Sequence, residues 1–401
     1  DHRDLHSFPT RRSSDLDYRQ VEHLLCAFSA HAGEGRYTIP LTGGGWSLWL
    51  DKEASWQNDR LYLPHEITDL SLLPVNVPTG GWQTLSHNPD AFPVEVPGTV
   101  EEYLTVTDNP RPENFRGVSW WYRKITIPAD QQKKRFIIYF ESVRMRAEVY
   151  LDGKLVAYDL IGETPFHVDI TDEAKPGKEQ LLAIRVTNPG GNFHWQDFDI
   201  MKWGEYNIPP SRSFTGIIGR VKLESVNPVF ISDIYMQNTP ELTKVNAILS
   251  FTNETSSSVK QDVELIVNEK GNPDKVVFRQ TLKAISFPAG NHEVTIPVNV
   301  PDAKLWDLST PELYTCNVLI KKGKKTLDQD KKDFGFRWFT VDGVGKDAVL
   351  RLNGRRIMLR SAISWGYFPV TGLIATTEMA EKQVRTAKSL GLNMLNFHRC
   401  I

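Results

Sequence analysis

Two carboxylates in a segment rich in histidine and aromatic residues are the first candidates for chemistry. Asp197 and Asp199 lie in the run HWQDFDIM, which begins with His194 and Trp195. A carboxylate can accept hydrogen bonds from two sugar hydroxyls, and an indole ring can stack on a sugar face. The same carboxylates can instead pair with Arg212 as a structural clamp. The residue types therefore predict either a sugar-binding subsite or a structural ion pair, and both remain open.

A second candidate is the pair of adjacent glutamates in the run VPGTVEEY, Glu101 and Glu102. Successive side chains of a strand point to opposite faces of the sheet, so in a strand these two carboxylates could not act on one bond. We therefore expect both to be surface charges without a catalytic role.

The last fifty residues contain a strand, a helix and a second strand. Residues 349–360 alternate around Asn353-Gly354, which is typical of a hairpin with a two-residue turn. Residues 376–390 place Ala380, Val384 and Ala387 on one face, which predicts a helix. The apolar run 392–397 is typical of a parallel strand that is covered on both faces. Together they predict the opening of a truncated (β/α) barrel.

Three residues follow the predicted barrel strands directly. Trp365 follows the first strand, and His398 and Arg399 follow the second. The carboxyl ends of barrel strands face the active site, so these positions predict substrate contacts. For His398 the alternative is a polar residue that a neighbouring strand satisfies.

Composition excludes several classes of protein. The chain has 401 residues, a net charge of −2 and no basic run, which argues against a nucleic-acid partner. Its three cysteines are far apart and indicate neither a disulfide framework nor a zinc site, and we expect no metal or other cofactor. We expect no membrane partner either, because the sequence has no apolar run long enough to span a membrane.

The front of the chain is predicted to be β-structure in two domains. Residues 1–16 show no initiator methionine and no apolar period, and we exclude them as a leader that is non-native or disordered. Short alternating runs with frequent turns predict a jelly-roll sandwich over residues 17–226, with 188–214 as a loop over one end. Trp120 and Trp121 must face opposite ways in a strand, so at least one belongs to a core.

The next segment is typical of an immunoglobulin-like sandwich. Residues 227–340 contain about seven runs with strand character, although the cysteine pair that often joins such sheets is absent. Residues 341–401 then form the predicted start of the barrel. The fold class is therefore mainly β, followed by the first βαβ of a barrel.

Several motifs resemble, in family order, the front half of glycoside hydrolase family two, which contains β-galactosidases, β-glucuronidases and β-mannosidases. The segments that carry the resemblance are VPGTVEEY, GVSWWYRKITIP, FESVRMRAEVYLDGKLV, TPFHVDIT, TGIIGRVKLE, PELYTCNVLI with FGFRWF, and LNGRRIMLRSA. The resemblance covers residues 46–401. It implies a sugar-binding domain, an immunoglobulin-like domain and the entry into a catalytic barrel.

The resemblance implies retaining hydrolysis of O-glycosidic bonds in oligo- or polysaccharides. Two glutamates about 5–5.5 Å apart perform that reaction, one as nucleophile and one as acid and then base. The family places both on later barrel strands, so we expect them beyond Ile401 and expect this chain to be inactive.

The resemblance also bears on individual site residues. Asn114 is similar to an asparagine that the sugar-binding domain extends toward the barrel mouth, with a turn-capping asparagine as the alternative. Trp365-Gly366 replaces a histidine-glutamate pair of the family, and Asn396 replaces an arginine. These departures indicate a divergent branch of the family.

Two hypotheses follow for the function. The first is the front part of a glycoside hydrolase that acts on a carbohydrate substrate, with a homo-oligomer possible for the full-length enzyme. The second is a non-catalytic carbohydrate-binding or adhesion module, which the 11 tryptophans and the jelly roll favour. The compartment stays unknown, and a bacterial exported or periplasmic enzyme is a guess from the class of polysaccharide degraders.

Overall fold

The computed structural model is mainly β-structure, as predicted. It describes residues 35–56, 69–104, 115, 117–160, 162, 164–188, 201–203, 206–208, 215–364 and 377–397.

The first domain contains fourteen described strands and one short helix. The strands are β1 Tyr37–Pro40, β2 Gly43–Asp51, β3 Phe92–Val96, β4 Gly98–Thr99, β5 Gly117–Thr126, β6 Arg135–Phe140, β7 Arg146–Leu151, β8 Lys154–Asp159, β9 Phe166–Asp169, β10 Glu179–Asn188, β11 Met201–Trp203, β12 Tyr206–Ile208, β13 Gly216–Ile217 and β14 Val221–Val226. The helix is α1 Val100–Leu104, between β4 and β5.

Two antiparallel sheets of this domain pack face to face, as in the predicted jelly roll. One has the order β1-β14-β6-β9 and the other β3-β2-β5-β10-β7-β8. The alternation that predicted the strands also builds the core between them, where Leu48, Ile184 and Ile138 are fully buried. The segment 188–214 was predicted as a loop over one end of the sandwich, but it contains the paired strands β11 and β12.

The six-stranded sheet is covered on its outer face as well. The short turns Leu70–Leu72 and Trp82–Ser86 lie over it, and Trp120 packs there against Tyr150 and Trp82. Trp121 points into the core between the sheets, so both adjacent tryptophans are completely buried. Neither of them can act as an exposed platform for a sugar.

The second domain is a sandwich of seven strands, which confirms the predicted number. They are β15 Val229–Asn238, β16 Lys244–Asn253, β17 Val259–Glu269, β18 Asn272–Phe287, β19 Gly290–Asn299, β20 Tyr314–Lys322 and β21 Lys325–Phe334. Sheet β15-β16-β19 packs on sheet β18-β17-β20-β21 around a core that includes Leu249, Leu265 and Val318. Cys316 is buried in this core as a free thiol, and burial raises its pKa to about 12.

The last described part contains the predicted hairpin and the predicted crossover. Its elements are β22 Phe339–Asp342, β23 Val349–Leu352, β24 Arg355–Arg356, β25 Ser361–Ser364, α2 Thr377–Ser389 and β26 Met394–Phe397. Asn353 and Gly354 have φ of 51° and 77°, the left-handed values that a type I′ turn requires. Strands β25 and β26 pair in parallel, so the predicted βαβ unit is present.

The apolar faces of this unit are partly exposed. Met394 on the second strand is 38% exposed, because a lone βαβ unit does not cover both faces of its own sheet. On the helix that joins the strands, Ala387 is buried while Val384 is 47% exposed.

An ion cluster joins the two sandwiches. Arg36 donates to both carboxylate oxygens of Asp328 on β21 at 3.0 and 2.9 Å and to Glu224 on β14 at 3.3 Å. It also donates to the carbonyl of Ile231 on β15 at 2.6 Å. One guanidinium therefore binds groups from both domains.

Candidate functional site

The six residues predicted to contact substrate lie outside the residues that the structure describes, and so do His194, Trp195 and Arg212. They are Asn114, Asp197, Asp199, Trp365, His398 and Arg399. Their roles therefore stay predictions. The structure does describe residues that border the segments in which these candidates lie.

The predicted sugar-contacting segments of the first domain begin and end close together. Phe115 directly follows Asn114 in the chain, and Asn188 is the last described residue before the segment with Asp197 and Asp199. The Asn188 side-chain amide donates to the carbonyl of Phe115 at 2.7 Å. The described residues that border the two segments are therefore in direct contact.

A buried carboxylate lies at the same end. Glu101 accepts a hydrogen bond from the backbone N–H of Phe115 at 3.3 Å through Oε1 and one from the N–H of Thr215 at 3.0 Å through Oε2. Thr215 is the first described residue after the segment 209–214. Glu101 therefore contacts the residues that border both segments.

The position of Glu101 follows from local sequence. Thr99 caps α1, because its hydroxyl accepts from the N–H of Glu102 at 3.1 Å, and the N–H of Val100 donates to the carbonyl of Thr215 at 2.7 Å. The helical turn then directs the Glu101 side chain inward, where it is 1% exposed. The expectation that Glu101 and Glu102 are surface charges in a strand is wrong for Glu101.

A sequence signal for this helix was available. Thr99-Val100-Glu101-Glu102 fits the capping box, a Thr followed three residues later by Glu. The capping box predicts a helix start and removes the strand alternation on which the surface assignment rested. It does not by itself predict which glutamate is buried.

Burial sets the protonation of Glu101. Removal from water raises the pKa of this carboxyl to about 7, although the two backbone N–H groups and the charge of Arg144 favour the ionised form. Arg144 belongs to the segment that exchanges backbone hydrogen bonds of 2.8 and 2.7 Å with Gly216. The carboxyl therefore titrates near neutral pH.

A second buried polar cluster lies on the outer face of the six-stranded sheet. Glu148 accepts from Asn76 at 2.8 and 3.0 Å, from Tyr150 at 3.0 Å and from Arg185 at 3.3 Å, and it also pairs with Arg146. Glu148 and Arg185 are each 2% exposed. Because the protein itself supplies these partners, we assign the cluster to stability rather than to ligand binding.

The barrel start aligns the two strands that precede its candidate residues. In the parallel register Ser364 lies opposite Phe397, the last described residue of each strand. Trp365 directly follows Ser364, and His398 directly follows Phe397. The two backbones thus reach the same edge of the sheet at the same level.

The described part of the chain contains neither a cluster of metal ligands nor a membrane-spanning helix. Within it, no group of three or more His, Cys, Asp or Glu side chains is arranged to hold a metal ion. The helices described there include none that is both long and apolar enough to cross a bilayer.

Two family models match the chain in the order of its two sandwiches. The model for the sugar binding domain of glycosyl hydrolases family 2 matches residues 44–207. The model for glycosyl hydrolases family 2 matches residues 229–337.

Curated relatives include enzymes with two activities in their names. A β-glucuronidase of Formosa agariphila is 26% identical over 267 residues, which are 64% of this chain and 26% of that protein. A putative β-glucuronidase of the same organism is 26% identical over 371 residues, 90% of this chain and 40% of that protein. A β-galactosidase of Thermoanaerobacter pseudethanolicus is 26% identical over 337 residues, 84% of this chain and 42% of that protein. The chain therefore spans less than half the length of these relatives.

Solved structures share the fold. A β-glucuronidase from Ruminococcus gnavus in complex with N1-substituted uronic isofagomine matches with a TM-score of 0.65 at 18% identity, over 91% of this chain and 57% of that one. A putative β-galactosidase from Bacteroides fragilis matches with a TM-score of 0.66 at 16% identity, over 91% of this chain and 50% of that one.

Proposed function

Because this chain belongs to glycosyl hydrolase family 2, we propose that it forms the N-terminal part of a retaining glycoside hydrolase that acts on O-glycosidic bonds of oligo- or polysaccharides. The observation that carries the proposal is the order of its parts. A jelly-roll sandwich and an immunoglobulin-like sandwich, each matched by a model of the family, are followed by a parallel βαβ unit.

We place the chemistry of this hydrolase outside the 401 residues. Retaining hydrolysis uses two carboxyl groups about 5–5.5 Å apart. Two buried glutamates of the front domain are engaged elsewhere, since Glu101 binds backbone amides and Glu148 binds buried cations. The relatives are more than twice as long as the matched part, which supports a catalytic pair downstream of Ile401.

The role proposed for this chain is to bind and orient the sugar. Asn114, Asp197 and Asp199 would contact it from the first sandwich, since Phe115 and Asn188, which border the segments that contain them, are hydrogen-bonded to each other. Trp365, His398 and Arg399 would contact it from the barrel, because they follow strands that end at one edge. Carboxylates and amides bind sugar hydroxyls, and a guanidinium suits a uronic acid.

Hydrolysis assays test this proposal. The substrates are 4-nitrophenyl β-D-glucuronide and β-D-galactoside, chosen from the activities in the relatives' names. We expect no turnover by the 401-residue chain and turnover of at least one substrate by the protein that the same reading frame encodes when continued past Ile401. Turnover by the 401-residue chain would contradict the proposal that the catalytic pair lies downstream. A downstream reading frame that does not predict repeating strands and helices would contradict the proposal that the protein is a glycoside hydrolase.

The alternative, a free-standing sugar-binding or adhesion module, loses part of its support. Its support was the jelly roll and the tryptophan content, but Trp46, Trp120 and Trp121 are buried in the cores of the first domain. Binding to a glycan array by a chain that ends near Phe336 would favour the module. Binding only by the longer protein would favour the hydrolase.

A further inference from the structure

We propose that Glu101 is a positioning residue. Each of its two carboxylate oxygens holds a described residue that borders one of two segments of the chain. The segments are residues 105–114 and 189–214, which end next to Phe115 and Thr215. The proposal rests on the proposed function only in taking these segments as the ones that touch sugar.

The first argument is that the two contacts are divided between the two oxygens. Oε1 accepts from Phe115 N–H and Oε2 accepts from Thr215 N–H, so neither oxygen serves both segments. A carboxylate is the side chain that presents two acceptors at this spacing, whereas an amide presents one acceptor and one donor. The requirement is therefore for a glutamate rather than for a side chain of its size.

The second argument is that water cannot replace these contacts cheaply. Glu101 is 1% exposed and Thr215 is completely buried, so the Thr215 N–H remains without solvent when it loses the carboxylate. An unpaired buried donor costs the whole of its desolvation. The side chain thus does more than fill space.

Other contacts also hold Phe115 and Thr215 in place. The Asn188 amide donates to Phe115 O at 2.7 Å, and the Thr215 hydroxyl donates to Arg144 O at 2.8 Å. Phe115 is therefore bound through its N–H by one segment and through its carbonyl by another. Glu101, together with the Val100 N–H that donates to the Thr215 carbonyl, connects this arrangement to α1.

The charges around Glu101 support a bound carboxylate. Among the described residues Arg144 is the charged group whose field favours its ionisation. The remaining titratable groups of α1 have separate surroundings, since Tyr103 binds the backbone of Glu95 and burial raises the pKa of Glu102. Among the titratable groups of α1, Glu101 is therefore the one that accepts from both Phe115 and Thr215.

Amide hydrogen exchange on the 401-residue chain tests the proposal. The samples are the wild type, Glu101→Gln, Glu101→Leu and a control variant, Glu95→Gln, whose carboxylate is exposed on β3. The measurement is the protection of the Phe115 and Thr215 amides above about pH 8, where Glu101 is ionised. The Ile184 amide in the core reports whether the domain is folded.

We expect Glu101→Gln to lose about tenfold in protection at one of the two amides and to keep the other, because its amide has one acceptor. Glu101→Leu should lose both, and Glu95→Gln should lose neither. Unchanged protection of both amides in Glu101→Gln would overturn the proposal, because a residue that acts only by packing tolerates an isosteric amide.

A wild-type titration keeps the test valid if Glu101→Leu does not fold. Protonation of Glu101 below about pH 7 turns one oxygen into a hydroxyl, so the protection of one or both amides, corrected for intrinsic exchange and measured relative to the core Ile184 amide, should fall. Protection independent of pH would overturn the proposal. Since no sugar is present, the result is independent of the hydrolysis assays that test the proposed function.

Discussion

Buried carboxylates in the first sandwich are stabilised in two different ways. Glu148 faces two guanidinium groups, which supply positive charge in addition to hydrogen bonds. Glu101 faces two backbone N–H groups, which supply hydrogen bonds without a full charge. Burial therefore raises the pKa of Glu101 to about 7.

Replacing Glu148 with glutamine should destabilise the first sandwich by about 3 to 5 kcal/mol, because Arg146 and Arg185 would remain buried beside a neutral group. Denaturant unfolding followed by tryptophan fluorescence measures the change. The matched control is Glu179→Gln, which removes the exposed pair with Lys124 and should cost less than about 1 kcal/mol. Equal effects of both substitutions would contradict the cluster's role.

The raised pKa of Glu101 predicts how stability depends on pH. Between the usual 4.5 and about 7, the folded chain binds a proton at Glu101 that the unfolded chain does not, so acidification in this range favours the folded state. The free energy of unfolding of the wild type, minus that of Glu101→Gln, should rise by on the order of 2 kcal/mol from about pH 8 to about pH 5. A flat or falling difference would contradict the assignment.

At the scale of residues, the sequence predicted candidates for contact with sugar, but it did not predict the buried residue Glu101 that holds their neighbours in the chain. Asn114, Asp197 and His398 were chosen from residue type and family position, and their roles stay predictions. Of the residues beside the candidate segments, Asn188 contacts Phe115 and Ser364 lies opposite Phe397. Glu101 was missed because strand alternation was applied to a run that forms a helical turn. Whether a carboxylate is buried depends on Phe115 and Thr215, which are distant in sequence.

The close contact between β13 and the strand β4 is an element-scale feature that glycine permits. Gly216 pairs with Thr99, and a Cβ atom at Gly216 would overlap the carbonyl oxygen of Gly98 and lie 3.0 Å from Cζ2 of Trp121. This contact places Thr215 beside Glu101. The geometry of the candidate site therefore depends on the absence of a side chain at 216.

Gly216→Ala should destabilise the first sandwich by about 3 kcal/mol, the upper part of the range for overpacking. The control is Gly44→Ala, because a Cβ atom at Gly44 would have no neighbour within 4 Å. Thermal unfolding of the two variants measures the difference. Similar melting temperatures for both would show that β13 and β4 can separate without cost.

The elements themselves were largely predictable, because period-two alternation records which face of a strand is buried. The runs around Leu48, Ile138 and Ile184 became core strands, and Asn353-Gly354 became the expected turn. Their neighbours in the sheets were not predictable, since strand order depends on pairing between distant segments. The short strands β11 and β12 were missed because aromatic turns obscured any alternation.

At the scale of the whole molecule, Arg36 joins the first sandwich to the second. Burial by itself would lower the pKa of Arg36, but Asp328, Glu224 and Asp330 raise it above its usual value. The pKa of Glu224 is in turn held low by Arg36 and Lys222 in spite of burial. The cluster couples the orientation of the two domains to a set of buried charges.

Arg36→Met should leave Glu224 and Asp328 buried without their cation, at a cost of about 3 to 5 kcal/mol. Because the lost contacts join the domains, calorimetry should separate one unfolding transition into two. The control is Lys283→Met, which removes the exposed partner of Asp262 within the second sandwich. A single transition at the wild-type temperature in Arg36→Met would contradict the coupling.

The stereochemistry of hydrolysis tests the central claim most directly. The protein encoded by the continued reading frame is mixed with a 4-nitrophenyl β-glycoside that it hydrolyses, and proton NMR identifies the anomer of the sugar released first. Membership of family 2 and the proposed pair of carboxylates predict that the β anomer is released first, before mutarotation. Release of the α anomer first, or no hydrolysis of any β-glycoside by the longer protein, would contradict the account.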